Sequence, residues 1–399
     1  MPRAAAPHTG RQPVRRCDQN GTVEAFITGA AESPYTRHPE SGVTTGTVLA
    51  DAARRALDDA GLEPGDVDGL GVASFSLAPD HAVDLAVRLG LRVSWLMDSA
   101  NGGASALELL QHARRAVEAG DARCILLASG DRLDGSAFVR LVENYNSATR
   151  DHLSPLPTGG PNALFAMLTR RHMARHRLGR EEYGKLVVAQ RAWAGANPGA
   201  VYRTPLLLED YLRAELVADP LSIYDCVPVV TGANAVVVSA DPAGTAVRVR
   251  SLRAAHNVDL HESDGLHTGL ASVAAALWDE SEAGPEDVDV VSVYDDYPAM
   301  ALVQLEDLGF APDGDVRRLV EERLETRLLP VNTSGGQLSA GQAGAAGGMH
   351  GLVEVVTQLR GAAGGRQVDD ARLGLVSGYG MVAYRYGVCA NAAVLERVS

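Results

Sequence analysis

Residues 62–75 read LEPGDVDGLGVASF, and residues 283–296 read AGPEDVDVVSVYDD. Pro64, Asp66 and Asp68 of the first stretch match Pro285, Asp287 and Asp289 of the second, 221 positions later. In both, a Pro/Asp turn leads into an apolar run of strand length. A second pair of stretches, DARCILLASGD from Asp121 and DARLGLVSGYG from Asp370, recurs 249 positions apart. Each follows a segment of helical character, Ala106 to Ala119 and Gly351 to Gly361. The chain therefore reads as two similar α/β halves packed about a pseudo-twofold axis, the first with about 28 fewer residues between its landmarks. A ligand cleft is expected where the halves meet, because sites favour such junctions.

Working outward, Val23 to Gly29 and Val67 to Ser74 read as strands, and Thr45 to Gly61 reads as a helix ending on glycine. Residues 131–221 break the alternation. They hold HLSPLPTGGPN and two helix-like runs, FAMLTRRHMARHRLG and EEYGKLVVAQRAWAGANPGA. Arg170, Arg171, His172, Arg175, His176 and Arg177 make a local basic cluster there. Two readings stand for it: a solvated helix face, or a landing surface for an anionic ligand such as a nucleotide phosphate.

The 399 residues carry a net charge of −14, with 46% hydrophobic and 22% charged side chains, which excludes general disorder. So acidic a chain lacks the basic stripe that nucleic acid or an anionic membrane surface requires, so no nucleic-acid partner is expected. Cys17, Cys124, Cys226 and Cys389 are scattered without a CxxC pair, so no metal site is expected from them. Cys124 and Cys389 sit in apolar runs and read as inert core thiols. Residues 1–22 form a polar leader without a secretory apolar stretch, and no run of about 18 apolar residues offers a membrane span. A cytoplasmic location is the expectation. The 42 glycines, beside 5% aromatics, imply many places where backbone turns sharply or approaches something closely.

Three further segments carry a family resemblance. NTSGGQLSAGQAGAAGG (Asn332 to Gly348) with EVVTQLRG after it, DCVPVVTGANAVVVSA (Asp225 to Ala240) and YDDYPAMALVQLEDLGF (Tyr294 to Phe310) together resemble the thiolase superfamily, above all its sterol-carrier-protein type, over about residues 23–397. The resemblance implies an α/β, five-layer αβαβα fold of two repeated halves with an inserted loop domain. It divides the chain into the leader 1–22, an N-terminal half 23–247 with the loop domain at about 131–221, and a C-terminal half 248–399. That loop domain would bind coenzyme A, which enters as part of the substrate and not as a separate cofactor.

The departures from the family pattern carry the functional reading. Ala100 stands where the family keeps its acyl-carrying cysteine, with Ser99 one residue away as a substitute nucleophile if a base activates it. Gln342 replaces the histidine of the Gly-His-Pro motif, and Val376 and Ser377 fall where the second cysteine is expected. Tyr294 stands at the family's oxyanion-hole residue. By resemblance, Tyr294 is the acid/base, with Gln342 orienting substrate or water and Tyr297 a further catalytic candidate. Asp295 and Asp296 read as caps of the helix that starts at Pro298, or as tuning Tyr294. Gly335, Gly336 and the Gly378 to Gly380 turn supply backbone donors, and Asp295, Tyr379 and Gly380 join the substrate site. Relatives lacking the thiolase Cys and His are aldolases acting on acyl-CoA thioesters of steroid side chains. The resemblance thus implies a carbon–carbon lyase performing retro-aldol cleavage of a 3-hydroxyacyl-CoA without an acyl-enzyme, as a homodimer with a small zinc-ribbon/OB-fold partner protein. Two alternatives stay open: an acyltransferase or condensing enzyme of secondary metabolism using Ser99, and a non-catalytic thiolase-shaped scaffold.

Overall fold

The paired Pro/Asp turns are built alike down to their hydrogen bonds. The Asp66 carboxylate accepts the amide of Glu63 at 2.9 Å, and Asp287 accepts that of Gly284 at 2.8 Å. Two residues on, Asp68 accepts the amides of Arg123 and Cys124, and Asp289 those of Arg372 and Leu373, all at 2.8–2.9 Å. A short carboxylate thus ties each turn to the start of the neighbouring strand, so each aspartate fixes both local shape and strand pairing.

The computed structural model describes residues 23–153, 155–156, 160–242, 244–257, 265–383 and 386–398. The leader expected over residues 1–22 lies outside the described residues. The first half runs β1 (Phe26–Glu32), α1 (Thr45–Ala60), β2 (Gly69–Ala73), α2 (His81–Leu89), β3 (Trp95–Ser99), α3 (Ser105–Ala119) and β4 (Cys124–Asp131). Then come α4 (Gly135–Glu143), α5 (Pro161–His176), α6 (Arg180–Ala194), α7 (Leu208–Arg213), the hairpin β5 (Leu216–Ala218) and β6 (Leu221–Ser222), and β7 (Gly232–Ser239). The rest is β8 (Ala246–His256), α8 (Leu270–Ser281), β9 (Val290–Ser292), α9 (Pro298–Asp307), α10 (Val316–Leu319), α11 (Gly336–Ala340), α12 (Gly347–Leu359), β10 (Leu373–Ala383) and β11 (Tyr386–Val398).

Hydrogen bonds link nine strands in the order β3-β2-β4-β7-β1-β8-β11-β10-β9. Read from β2 inward, the pairings are parallel, antiparallel, antiparallel. Read from β9 inward, they are the same. The two half-sheets meet edge to edge through Phe26 with Arg248 and Ile27 with Val247. Between them lie α3 and α12, packed on each other and on strands of both halves. α12 has 12 of its 13 residues buried, as a helix in a central layer must, whereas α1 buries one face on β1, β4 and β7. α8 covers β8 and β11 from the far side. The order of layers is αβαβα, the expected thiolase fold. Segments α4 to α7 and the β5/β6 hairpin leave the large sheet between β4 and β7.

Candidate active site

β9 delivers its last residues to the edge of the central layer, where Val293 leads into Tyr294-Asp295-Asp296-Tyr297 and Pro298 starts α9. Asn332 Oδ1 accepts the Val293 amide at 2.9 Å. Gln304, two turns into α9, donates to the Tyr294 carbonyl at 2.7 Å and accepts from Ser377 Oγ at 2.8 Å. Three elements therefore fix the backbone from which Tyr294 projects.

The Tyr294 ring passes between the chain at Gly103 and Gly347, and a Cβ on Gly103 would stand 2.1 Å from Tyr294 Cε2. Its hydroxyl oxygen accepts from Gln342 Nε2 at 3.0 Å, and the same amide donates to Gln337 Oε1 at 3.0 Å. Gln342 thus holds the tyrosine itself, where the sequence reading had it orient substrate or water. Burial, then the charge of Asp296, push the Tyr294 phenol well above its ordinary pKa, so it stays protonated and donates.

Asp295 is not a cap of α9. Tyr297 occupies that N-cap without a side-chain bond, because the Asp295 carboxylate turns instead to α11 and accepts the Gln337 amide at 2.9 Å. Gly336 makes the room, since a Cβ there would lie 2.0 Å from Asp295 Oδ2. Burial pushes the Asp295 carboxyl up to about 7. Asp296 Oδ1 is buried with no hydrogen-bond partner among the described residues. Burial first, then the neighbouring Asp295, raise its pKa to about 8. Its charge in turn raises the phenols of Tyr294, Tyr145, Tyr297 and Tyr379, which surround it.

Tyr145 was not singled out from the sequence, whereas Asp296 was read there as a cap of α9 or as tuning Tyr294. Tyr145 comes from the inserted stretch, accepts the Met381 amide at 3.1 Å, and is pushed up to about 12 by burial.

The other expected residues are placed as follows. Tyr379 is 1% exposed and its ring centroid lies 6.5 Å from that of Tyr294, forming the wall behind it. Tyr297 turns to α5, donating to Asn162 Oδ1 at 2.6 Å and stacking on Phe165 at 4.2 Å. Ser99 donates to Glu108 Oε2 at 2.6 Å, an oxygen that also accepts from Asn101, and no hydrogen bond joins it to the Tyr294–Gln342 pair. Gly335 and Gly336 are not free donors, because their amides are donated to Asn332 O at 2.8 Å and Ser334 Oγ at 3.2 Å. Gly378 to Gly380 is no turn: these residues lie inside β10, opposite Asn391, Ala390 and Cys389 of β11. Side chains at Gly378 and Gly380 would strike the backbone of Asn101 to Ala104. Within the basic cluster His172 is fully buried and Arg170 pairs with Asp219, while Arg171, Arg175 and Arg177 are exposed. Cys124 and Cys389 are buried in β4 and β11, and burial raises both thiols, to about 12 and about 11. A cavity of about 470 Å³ lies apart from the tyrosines, within the inserted stretch, lined by Arg191, Arg213 and Tyr224 among others. No helix among the described residues is long and apolar enough to cross a membrane.

The doubled half-sheets, the shared helical layer and the tyrosine–glutamine pair at their junction define a thiolase-like class. Residues 253–393 match the family described as Thiolase C-terminal domain-like. The chain is 33% identical to the 17-hydroxy-3-oxo-4-pregnene-20-carboxyl-CoA lyase of Mycobacterium tuberculosis, over 85% of this chain and 92% of that one. It is 29% identical to the steroid side-chain-cleaving aldolase of Thermomonospora curvata, over 90% of this chain and 95% of that one. The solved Ltp2-ChsH2(DUF35) aldolase superposes with a TM-score of 0.81 at 25% identity, covering 94% of this chain and 98% of that chain. The chain belongs to the thiolase superfamily, in the branch of these lyases and aldolases.

Proposed function

We propose that the Tyr294 cleft carries out retro-aldol cleavage of a 3-hydroxyacyl-CoA thioester of the steroid side-chain type, making the protein a carbon–carbon lyase. The observation that carries this reading is the protonated Tyr294 hydroxyl held by Gln342. Such a donor serves an oxygen on which negative charge develops.

In the cleavage, a base takes the proton from the C3 hydroxyl. The C2–C3 bond breaks, C3 becomes a ketone or aldehyde carbonyl, and the bond's electron pair passes into an enolate over C2 and the thioester oxygen. Tyr294 donates to that oxygen, with its own oxygen fixed by Gln342. Asp296, whose buried Oδ1 has no hydrogen-bond partner among the described residues, accepts the hydroxyl proton and returns it to C2. Atoms balance without an acyl-enzyme. Coenzyme A is part of the substrate, and the chain acts as a homodimer beside a small zinc-ribbon/OB-fold partner. The solved Ltp2-ChsH2(DUF35) aldolase, whose name joins two components, supports such a partner.

The test is release of ketone or aldehyde from 3-hydroxyacyl-CoA thioesters by the chain together with its partner. Tyr294→Phe is expected to lower kcat about 10²–10³-fold with little change in Tm. A wild-type protein that releases no carbonyl product overturns the reading. A mass increase on Ser99 that disappears in Ser99→Ala points instead to acyl transfer.

A further inference from the structure

Away from the tyrosines, α5 and α9 run side by side. At their start, Tyr297 and Phe165 stack; further along, three donor atoms converge. His172 and His176 lie one helical turn apart on α5, and Glu306 lies near the end of α9. One nitrogen of each histidine and one carboxylate oxygen lie within 4.8 Å of one another. His172 Nε2, His176 Nε2 and Glu306 Oε2 are each buried and have no hydrogen-bond partner among the described residues. His172 is fully buried, and the side chains of His176 and Glu306 are 8% and 11% exposed.

We propose that His172, His176 and Glu306 bind one divalent transition-metal ion of the zinc class, which clamps the inserted segment's α5 to α9. An ion pair between His176 and Glu306 accounts for only two of the three atoms and leaves His172 Nε2 facing no donor. A metal accounts for all three. Two ligands each about 2.0 Å from a tetrahedral zinc stand roughly 3.3 Å apart, and His176 Nε2 lies 3.2 Å from Glu306 Oε2. The set of two imidazoles and one carboxylate is a zinc donor set. His172 Nδ1 lies 2.7 Å from the Tyr183 hydroxyl, and the tautomer that donates there leaves a bare Nε2 lone pair aimed at the cluster. Arg175 lies near the cluster and contacts His267, whose ring is engaged by Asp307 at 2.7 Å.

The experiment uses the full-length chain carrying no histidine tag. It measures zinc content by mass spectrometry, and visible absorption and Tm while cobalt(II) is added after chelator treatment. One metal per chain is expected, with the intense visible bands of a low-coordinate cobalt site and a Tm that rises on metal addition. His176→Gln and Glu306→Gln are expected to abolish stoichiometric binding. Tyr183→Phe, which leaves the ligands in place, is expected to weaken it about 10–100-fold. If the wild-type chain gains no cobalt bands and no Tm shift, the proposal is wrong whether or not the variants fold. Undiminished binding in folded His176→Gln and Glu306→Gln places the metal elsewhere and overturns it equally.

Discussion

Two adjacent aspartates, Asp295 and Asp296, divide their work by where their oxygens point. Asp295 accepts an amide at the start of α11, while Asp296 Oδ1 has no partner among the described residues. A buried carboxylate left unpaired is costly, and such groups cluster where chemistry needs them. Asp296 works as a base only when deprotonated. With its pKa near 8, kcat/KM is expected to rise with pH up to about that value. Asp296→Asn should remove this acidic limb and lower the rate about 10²–10⁴-fold, read from the pH–rate profile. A profile that keeps the limb in the variant assigns it to another group. Gly103→Ala drives a methyl into the Tyr294 ring. It should cost about 1–3 kcal/mol in a denaturant melt and misplace the phenol, so activity falls along with stability. At this scale the resemblance singled out both Tyr294 and Gln342, but not the bond between them. A hydrogen bond between residues 48 positions apart leaves no trace in either local pattern. The glycine count implies close backbone approaches, and Gly103 and Gly336 are places of such close approach, where Tyr294 and Asp295 press on the chain.

The Pro/Asp turns are the elements on which the duplication was most legible, because their cause is local. Pro presets the turn, and the aspartate two positions after Asp66 or Asp287 meets the strand that the same half supplies. Asp68→Ala and Asp289→Ala each strip a carboxylate from two strand amides. Each should cost about 1.5–3 kcal/mol by denaturant melt, and the double variant should lose close to the total, since the two sites share no partner. A strongly non-additive double variant would mean the halves communicate through these turns. Gly378 to Gly380 failed as a turn for the opposite reason. A run of glycines between apolar residues reads locally as a bend, yet here it is extended strand kept bare so that Asn101 to Ala104 can lie against β10. The cap reading of Asp295 failed in the same way, because its true partner, Gln337, is 42 residues downstream and reaches it only through the packing of α11.

For the molecule as a whole, the buried carboxylates set how stability depends on pH. Asp295 and Asp296 have folded pKa values raised above the ordinary 3.8, to about 7 and about 8. The folded state therefore holds these protons more tightly than the unfolded one. Their contribution is complete below the unfolded value and is lost as pH rises through the folded values. His350, whose pKa is raised, with the largest favourable cause being Glu32, works in the same direction. Its contribution is present below its ordinary 6.5 and fades as pH climbs through the raised value. Glu354, lowered chiefly by Arg366, opposes them only in acid, where its protonation removes stability. The wild-type Tm should thus fall from just above about pH 4, the ordinary carboxylate value, to about pH 8. Asp296→Asn keeps the His350 part of that fall and loses its own, so the variant should melt higher than wild type at the alkaline end while the two converge in mild acid. Paired with its lost activity, that gain would mark Asp296 as a group retained for chemistry at the expense of stability. A variant that melts below wild type at every pH would instead make the carboxylate a structural part of the junction between the halves.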